Sequence, residues 1–277
     1  MIREPAVAGM FYPGDAKSLR KFIDASTTRA DAPICAAAVV SPHAGYVYSG
    51  AVAASVFGAV VLPKRYIILG PNHTGRGVRM ALHPAGQWRT PLGLAEIDDE
   101  LNRRLLAECG LLREDRAAHL REHSLEVQIP FLQALAGGLR FSAICVGTTD
   151  YGSLESLGHA MARVILSSDE PVLIVCSSDM NHYESAEVNR RKDQFAIDEV
   201  VAVNPERLHR VVIEQDIGMC GFAPTVAALV CCRDLGATAG ELIRYTHSGE
   251  VTGDNDQVVS YAGMVVHRPQ AQISIEV

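Results

Sequence analysis

The sequence predicts a single α/β domain, spanning 1–277, with a mainly parallel or mixed central sheet and helices on both faces. Two observations lead to this prediction. Short apolar runs rich in β-branched residues alternate along the chain with segments of helical period. The chain has 277 residues, of which 48% are hydrophobic and 21% are charged, and this suits one large folded domain. Strands that alternate with helices favour a parallel sheet covered on both sides.

Continuous apolar runs predict buried strands, and two later runs predict terminal strands. The predicted strands are Ile34–Val40, Tyr66–Leu69, Phe141–Val146, Val172–Cys176, Glu241–Tyr245 and Val258–Val266. Helical spacing of apolar residues predicts the segments between them. These helices are Gly50–Val61, Asp98–Glu108, Ser124–Leu135, Leu154–Leu166, Ala186–Val201, Pro205–Ile213 and Pro224–Leu235. We also expect a small edge hairpin formed by Val78–Leu82 and Gly93–Ile97, and terminal strands whose free edge allows a homodimer.

Composition excludes several classes of function. The formal net charge of −7 argues against a nucleic-acid binder. No apolar run is long enough to span a bilayer, and the first residues lack the pattern of a secretory leader, so we expect a cytoplasmic protein. The seven cysteines are scattered without a CxxC pair, which is typical of reduced thiols. The sequence contains no glycine-rich phosphate loop, so it gives no support for nucleotide binding.

Three predicted strands are each followed at once by a turn that carries a histidine. These are His43, His73 and His182, after the first, second and fourth predicted strands. A lone histidine in such a turn is more often bonded to local backbone. Three of them at the carboxyl ends of parallel strands meet at one sheet edge, which favours a shared pocket. Neutral imidazole is the commonest metal ligand, so the pattern predicts a metal site, with Asp179 placed to orient or supplement an imidazole.

Cys220 is a further candidate for this pocket. It lies in the segment Gly218-Met219-Cys220-Gly221, just before a predicted helix, and the helix dipole is expected to lower the pKa of its thiol. The flanking glycines allow the backbone to approach a ligand closely. The alternative is a buried thiol without a chemical role.

His123 and Glu126 are spaced by three residues at the start of a predicted helix, so they share one face. This spacing predicts either an acid/base pair that lines or supports the pocket, or a first-turn carboxylate that interacts with the helix dipole. The HExxH signature of zinc proteases is absent from the sequence.

Several motifs spread over nearly the whole chain resemble those of the Memo family, whose bacterial and archaeal members are called AmmeMemoRadiSam system protein B. The resemblance implies a functional association with a radical-SAM protein. The motifs include Arg3-Glu4-Pro5-Ala6-Val7-Ala8-Gly9, Ser41-Pro42-His43-Ala44-Gly45-Tyr46, Leu69-Gly70-Pro71-Asn72-His73, Trp88-Arg89-Thr90-Pro91, Glu122-His123-Ser124-Leu125-Glu126 and Ser178-Asp179-Met180-Asn181-His182.

The resemblance also implies a fold similar to that of the class III extradiol ring-cleaving dioxygenases, which hold non-haem Fe(II) with two histidines and a carboxylate. Carried over to this chain, His43 and His73 would be the imidazole ligands. His182 would be the acid/base histidine with Asp179 beside it, and Cys220 would stand where the dioxygenases use a carboxylate. A thiolate ligand favours Cu(I), Zn(II) or a differently tuned iron.

We therefore expect a metal-binding protein or metal-dependent redox enzyme that uses iron or copper and binds an unidentified small molecule or peptide. A zinc hydrolase with a metal-activated water is a second possibility for the same ligands. A non-catalytic module that holds a peptide or a small anion in the same pocket is the rival from another functional class.

Overall fold

Twelve strands and nine α-helices follow one another along residues 1–268, which the computed structural model describes. The strands are β1 (Ile2–Arg3), β2 (Ala36–Ser41), β3 (Arg65–Pro71), β4 (Met80–Leu82), β5 (Gln87–Thr90), β6 (Gly93–Ile97), β7 (Arg113–Glu114), β8 (Arg140–Val146), β9 (Val172–Ser177), β10 (His182–Glu184), β11 (Gly240–His247) and β12 (Val258–His267). The helices are α1 (Ala16–Ser26), α2 (Tyr46–Ala59), α3 (Asp99–Glu108), α4 (Ile129–Leu135), α5 (Tyr151–Leu166), α6 (Ala186–Val201), α7 (Pro205–Glu214), α8 (Phe222–Asp234) and α9 (Gly249–Thr252). The predicted domain extends to residue 277, and 269–277 lie outside the described residues.

One mixed sheet joins the strands in the order β1-β5-β6-β8-β3-β9-β2-β12-β10. Its central strands β8, β3, β9 and β2 are parallel to one another. The last strand, β12, runs antiparallel to β2 and also pairs antiparallel with β11. The prediction of a single α/β unit with a mixed central sheet is therefore confirmed.

The sheet is buried on both faces because successive residues of its central strands point into different cores. In β3, Ile67 and Leu69 pack into one core, whereas Tyr66 and Ile68 pack into the other. Helices α3, α5, α6, α7 and α8 supply apolar residues to the first core, and α1, α2 and α4 supply them to the second. A strand buried on both faces reads as a continuous apolar run, which explains why these strands could be predicted.

The predicted edge hairpin is wrong. Gly93–Ile97 pairs with Gln87–Thr90, and Met80–Leu82 pairs instead with β7 and β8. The two-residue turn between β5 and β6 allows the neighbouring segments to pair directly, so the more distant strand is not needed. Among residues 1–268, no helix combines the length and the apolar content that a membrane crossing requires.

Helix α1 was not among the predicted helices. Its amino end is capped by Asp15, whose side chain accepts a hydrogen bond from the backbone N–H of Ser18. Leu19 and Ile23, one helical turn apart, are its buried residues. The capping aspartate and the spacing of the two buried residues are the sequence features from which this helix could have been predicted. Helix α2 begins at Tyr46, earlier than predicted.

The sheet register brings the predicted turns to one edge. Ser41 at the end of β2 pairs with Ser177 at the end of β9, and Leu69 of β3 pairs with Cys176 of β9. The chain therefore leaves these three parallel strands at the same level. Each turn that follows carries polar side chains into the space above this edge.

Candidate metal centre

Three histidines meet above the carboxyl ends of the central strands. His43 follows β2, His73 follows β3, and His123 lies in the segment before the short 3-10 turn at Glu126–Gln128. One ring nitrogen of each lies within 4.8 Å of the corresponding nitrogens of the other two. The ring of His43 is buried, whereas that of His73 is exposed. This spacing allows all three imidazoles to reach one metal ion.

The hydrogen bonds of His43 fix its tautomer. Its Nδ1 lies 2.9 Å from Oγ of Ser177, and that hydroxyl donates its only proton to the carbonyl oxygen of Ser124. Ser177 must therefore accept from Nδ1–H of His43, which leaves the lone pair on Nε2 free. Burial is the largest cause that lowers the pKa of His43, and the neighbouring histidines lower it further, so the ring is neutral at pH 7.

Glu122 orients His73 through hydrogen bonds, as Ser177 orients His43. The buried carboxylate accepts from the backbone N–H of His73 at 2.7 Å and lies 2.8 Å from its Nδ1. Burial raises the pKa of Glu122, but the hydrogen bonds and charges of its neighbours, with His73 first, outweigh this and lower the pKa to about 2. The ionised carboxylate accepts Nδ1–H, so Nε2 is the nitrogen that carries the lone pair when the His73 ring is neutral.

His123 lies next to both Glu122 and His73. Its Nδ1 lies 3.6 Å from Oε1 of Glu122, and its ring lies 4.7 Å from the ring of His73, nearly parallel to it. Phe11 packs on it with the ring centres 4.9 Å apart. Burial is the main cause that lowers the pKa of His123. It was predicted as a pocket or supporting residue, and the structure places it among the three clustered histidines.

Cys220 adjoins the cluster at His43. Its Sγ lies 3.1 Å from Nε2 of His43 and accepts from the backbone N–H of Asp179 at 3.3 Å. The expected lowering of its pKa by the helix dipole is wrong for the metal-free protein. Burial, followed by the charge of Asp179, raises the pKa of the thiol above its usual value. The S–H group therefore donates to the free lone pair of His43.

Asp179 lies in the turn after β9, and His182 begins β10. Asp179 accepts from the backbone N–H groups of His43 and Ala44 at 2.7 and 3.2 Å, and burial nevertheless raises its pKa to about 6. Nδ1 of His182 lies 2.8 Å from the carbonyl oxygen of Gly218. A carbonyl only accepts, so His182 donates from Nδ1, and its neutral form carries the lone pair on Nε2.

The three clustered histidines, His182 and Asp179 line one open cavity of about 590 Å³. The neutral polar residues Ser248, Thr252 and Gln257 line it as well, together with apolar and aromatic side chains. No lysine or arginine is among the lining residues described for it. They are Met10, Phe11, His43, Ala44, Gly45, Val47, Tyr48, His73, His123, Asp179, His182, Tyr183, Ser248, Thr252, Gln257, Val259 and Tyr261.

Residues 3–265 match the family described as "Memo-like protein". The chain belongs to the Memo family. Proteins named MEMO1 family protein are 40% identical in Methanopyrus kandleri, over 97% of this chain and 100% of that one, and 41% identical in Aquifex aeolicus, over 95% and 98%. The predicted family is thus confirmed.

A solved structure shares the fold. The crystal structure of an uncharacterized protein from Escherichia coli K12 has a TM-score of 0.56 to this chain at 10% identity. It covers 82% of this chain and 98% of its own. At such low identity the likeness concerns the fold alone.

Glu126 of this Memo chain does not reach the cavity and acts elsewhere. Its carboxylate accepts from Nη1 of Arg3 at 2.6 Å, from the hydroxyl of Tyr12 at 2.7 Å, and from the backbone N–H groups of Ala6 and Val7. It therefore holds the N-terminal segment instead of forming an acid/base pair with His123. Residues three apart on a regular helix share a face, but His123 precedes the helical turns here, so the spacing argument fails.

Two residues that orient the cluster were not assigned roles from the sequence, namely Glu122 and Ser177. Glu122 directly precedes His123, and Ser177 ends β9, so neither has a distinctive spacing to its histidine. Their partners lie 49 and 134 residues away in the chain. The available signal was weak: polar residues at the strand ends and next to a predicted ligand.

Proposed function

We propose that this Memo protein is a metal-dependent enzyme of the redox class, with its ion held at the histidine cluster. The observation that carries the proposal is the approach of three imidazole nitrogens to within 4.8 Å of one another. His43 and His73 have their Nδ1 atoms committed to Ser177 and Glu122, so the donor set offers free Nε2 lone pairs. The residues thus fit a transition-metal ion.

His43 and His73 are the two ligands in our proposal, and His123 and Cys220 complete the set. Sγ of Cys220 lies close enough to Nε2 of His43 for both to reach one ion. Imidazole suits iron, copper and zinc, whereas a thiolate adds preference for Cu(I) or Zn(II). Iron or copper would supply one-electron chemistry and an open coordination position to a molecule in the cavity.

His182 moves the proton in this proposal. Its Nδ1 is fixed on the carbonyl oxygen of Gly218, so Nε2 is the atom that exchanges a proton with a ligand in the cavity. An imidazole suits this task because its usual pKa is close to neutral pH. Asp179, three residues before His182, accepts from the backbone N–H groups of His43 and Ala44. It therefore holds the turn that carries His43 close to His182.

Two alternatives use the same cavity. A zinc hydrolase would share the ligands but act without an oxidant. A non-catalytic module for peptides or small anions is less well supported, because the described lining contains no cationic side chain that would pair with an anion. We place the reaction in the cytoplasm, with which the free cysteines of the described chain agree.

Metal analysis of protein purified without oxygen tests the proposal. We expect close to one equivalent of iron or copper, lost from His43→Ala and His73→Ala and reduced in His123→Ala and Cys220→Ser. His159→Ala, at an exposed histidine paired with Asp234, is the matched control and should retain the metal. Full metal content in His43→Ala and His73→Ala would overturn the site. Stoichiometric zinc with oxygen-independent hydrolysis would favour the hydrolase.

A further inference from the structure

Tyr183 has a backbone conformation that its side chain disfavours. Its φ angle is +62°, in the left-handed region, where L-residues with bulky side chains are strained. Two other non-glycine residues of the described chain share this feature, Val203 and Asp216. Val203 is 5% exposed, so burial offsets its strain, and aspartate tolerates this region in turns. Neither explanation applies to Tyr183, which is 74% exposed.

The surroundings hold this strained conformation in place. His182 pairs with Val259 and Glu184 pairs with Val258, so the register of β10 on β12 shifts at Tyr183. The carboxylate of Glu184 accepts from Nδ2 of Asn181 at 2.6 Å. The residues on either side of Tyr183 are therefore fixed, and the tyrosine ring is directed outward at a bulge. The bulge explains how this conformation is held, and an exposed tyrosine placed at such a position points to a functional role.

Tyr183 lines the cavity at its mouth, and other exposed apolar side chains lie around the same opening. Met10 is 73% exposed, Val47 is 65% exposed and Tyr48 is 38% exposed, and all three line the cavity. Exposed apolar surface of this kind around a polar pocket is typical of a ligand-binding rim. The cavity thus combines histidines and Asp179 with exposed apolar and aromatic side chains, and no lysine or arginine is among its described lining residues.

We propose that Tyr183 is a specificity-determining residue that packs against the body of the ligand. The ligand class is a molecule with a small polar head that binds the metal and an uncharged, flat hydrocarbon or aromatic body that extends along the rim. This inference rests on the proposed metal centre for the head group. Tyr183 itself contacts the body of the ligand and takes no part in holding the ion.

Hydroxamates with one head and different tails test this assignment, because the head binds protein-held metal ions. Dissociation constants of acetohydroxamate, benzohydroxamate and naphthohydroxamate are measured by calorimetry on zinc-loaded protein. We expect naphthohydroxamate to bind about tenfold or more tightly than acetohydroxamate in the wild type, from buried apolar area. Tyr183→Gly should remove most of this advantage and leave the affinity for acetohydroxamate unchanged, whereas Tyr183→Phe should keep it.

The stability of the variants to urea is a second measurement that tests the role of Tyr183. Tyr183→Gly should be no less stable to urea than the wild type, because glycine relieves the strained φ angle. Asp216→Gly is the matched control: it relieves a positive φ angle at a residue that does not line the cavity, so it should leave hydroxamate binding unchanged.

The outcomes separate this inference from the proposed function. If acetohydroxamate binds but the larger tails add nothing, or if Tyr183→Gly keeps their advantage, the role of Tyr183 is wrong and the metal centre stands. If none of the hydroxamates binds and zinc is not retained, the metal centre and the ligand class fall together. Loss of stability in Tyr183→Gly would show that the conformation serves the fold.

Discussion

Nη1 of Arg3 lies 2.6 Å from Oε2 of Glu126, and both side chains are almost completely buried. The other donors of Arg3 bind the carbonyl oxygens of His119 and Glu122, and its guanidinium lies 4.1 Å from the centre of the Trp88 ring. One arginine therefore fixes the segment that carries Glu122 and the clustered His123. The start of the chain is thus part of the support of the candidate metal centre.

Arg3→Lys should loosen this support. Lysine cannot make the forked set of bonds, so we expect a loss of about 3 kcal/mol or more in unfolding free energy and weaker metal binding. Urea denaturation and metal titration of the folded protein measure the two effects. Arg65→Lys is the control, because Arg65 forms a buried pair with Asp98 at 2.7 Å outside the cavity. It should cost stability but not metal affinity; an equal loss of affinity in both variants would contradict the coupling.

Glu122→Gln should weaken metal binding by about 10- to 100-fold without unfolding the protein. The amide keeps an acceptor for the backbone N–H of His73 but no longer offers a full negative charge to its Nδ1–H. Competitive titration with a chelator measures the affinity. Glu108→Gln, at an exposed carboxylate paired with Arg163, is the control and should bind metal as the wild type does. Unchanged affinity in Glu122→Gln would remove Glu122 from the support of His73.

In the metal-free protein, Cys220 should react with iodoacetamide more slowly than the exposed Cys35. Burial raises the pKa of the Cys220 thiol, so the reactive thiolate is scarce at pH 8 and its fraction grows only as the pH rises further. Mass spectrometry of labelled peptides follows both residues over time. If Cys220 is labelled first at pH 8, its thiol is activated and burial does not raise its pKa.

Acid should destabilise the fold through His83 and His119, which lie with their ring centres 5.3 Å apart beside Trp88. Burial lowers their pKa values from 6.5 to about 4 and about 3. The unfolded chain therefore binds more protons below pH 6.5, so unfolding free energy falls as the pH drops from 6.5 towards 4, by on the order of 3 kcal/mol for His83.

Urea denaturation at pH 7, 5.5 and 4.5 measures this loss. His83→Asn lacks the titrating ring, so its stability should decrease less between pH 7 and pH 4.5 than that of the wild type. The two proteins are compared by the slope of unfolding free energy against pH, because the substitution also removes packing against Trp88 at every pH. Equal slopes for the two proteins would show that His83 is not responsible for the acid sensitivity.

The fold was largely predictable because its central strands are buried on both faces and therefore apolar throughout. The parallel arrangement in turn predicted that His43 and His73 would meet. The roles of Glu122 and Ser177 were not predictable, since each depends on a contact across the fold with a partner distant in the chain. The thiol of Cys220 shows a related limit: its place beside a helix is visible in the sequence, but its burial is not.

The position of β9 between β2 and β3 in the sheet has a consequence for biosynthesis. β9 follows both of these strands along the chain, and its last residue, Ser177, also sets the tautomer of His43. A nascent polypeptide that stops short of Val172 therefore contains His43, His73 and His123 but lacks the strand that joins β2 to β3. His43 thus reaches its observed position beside His73 and His123 only after translation has passed β9.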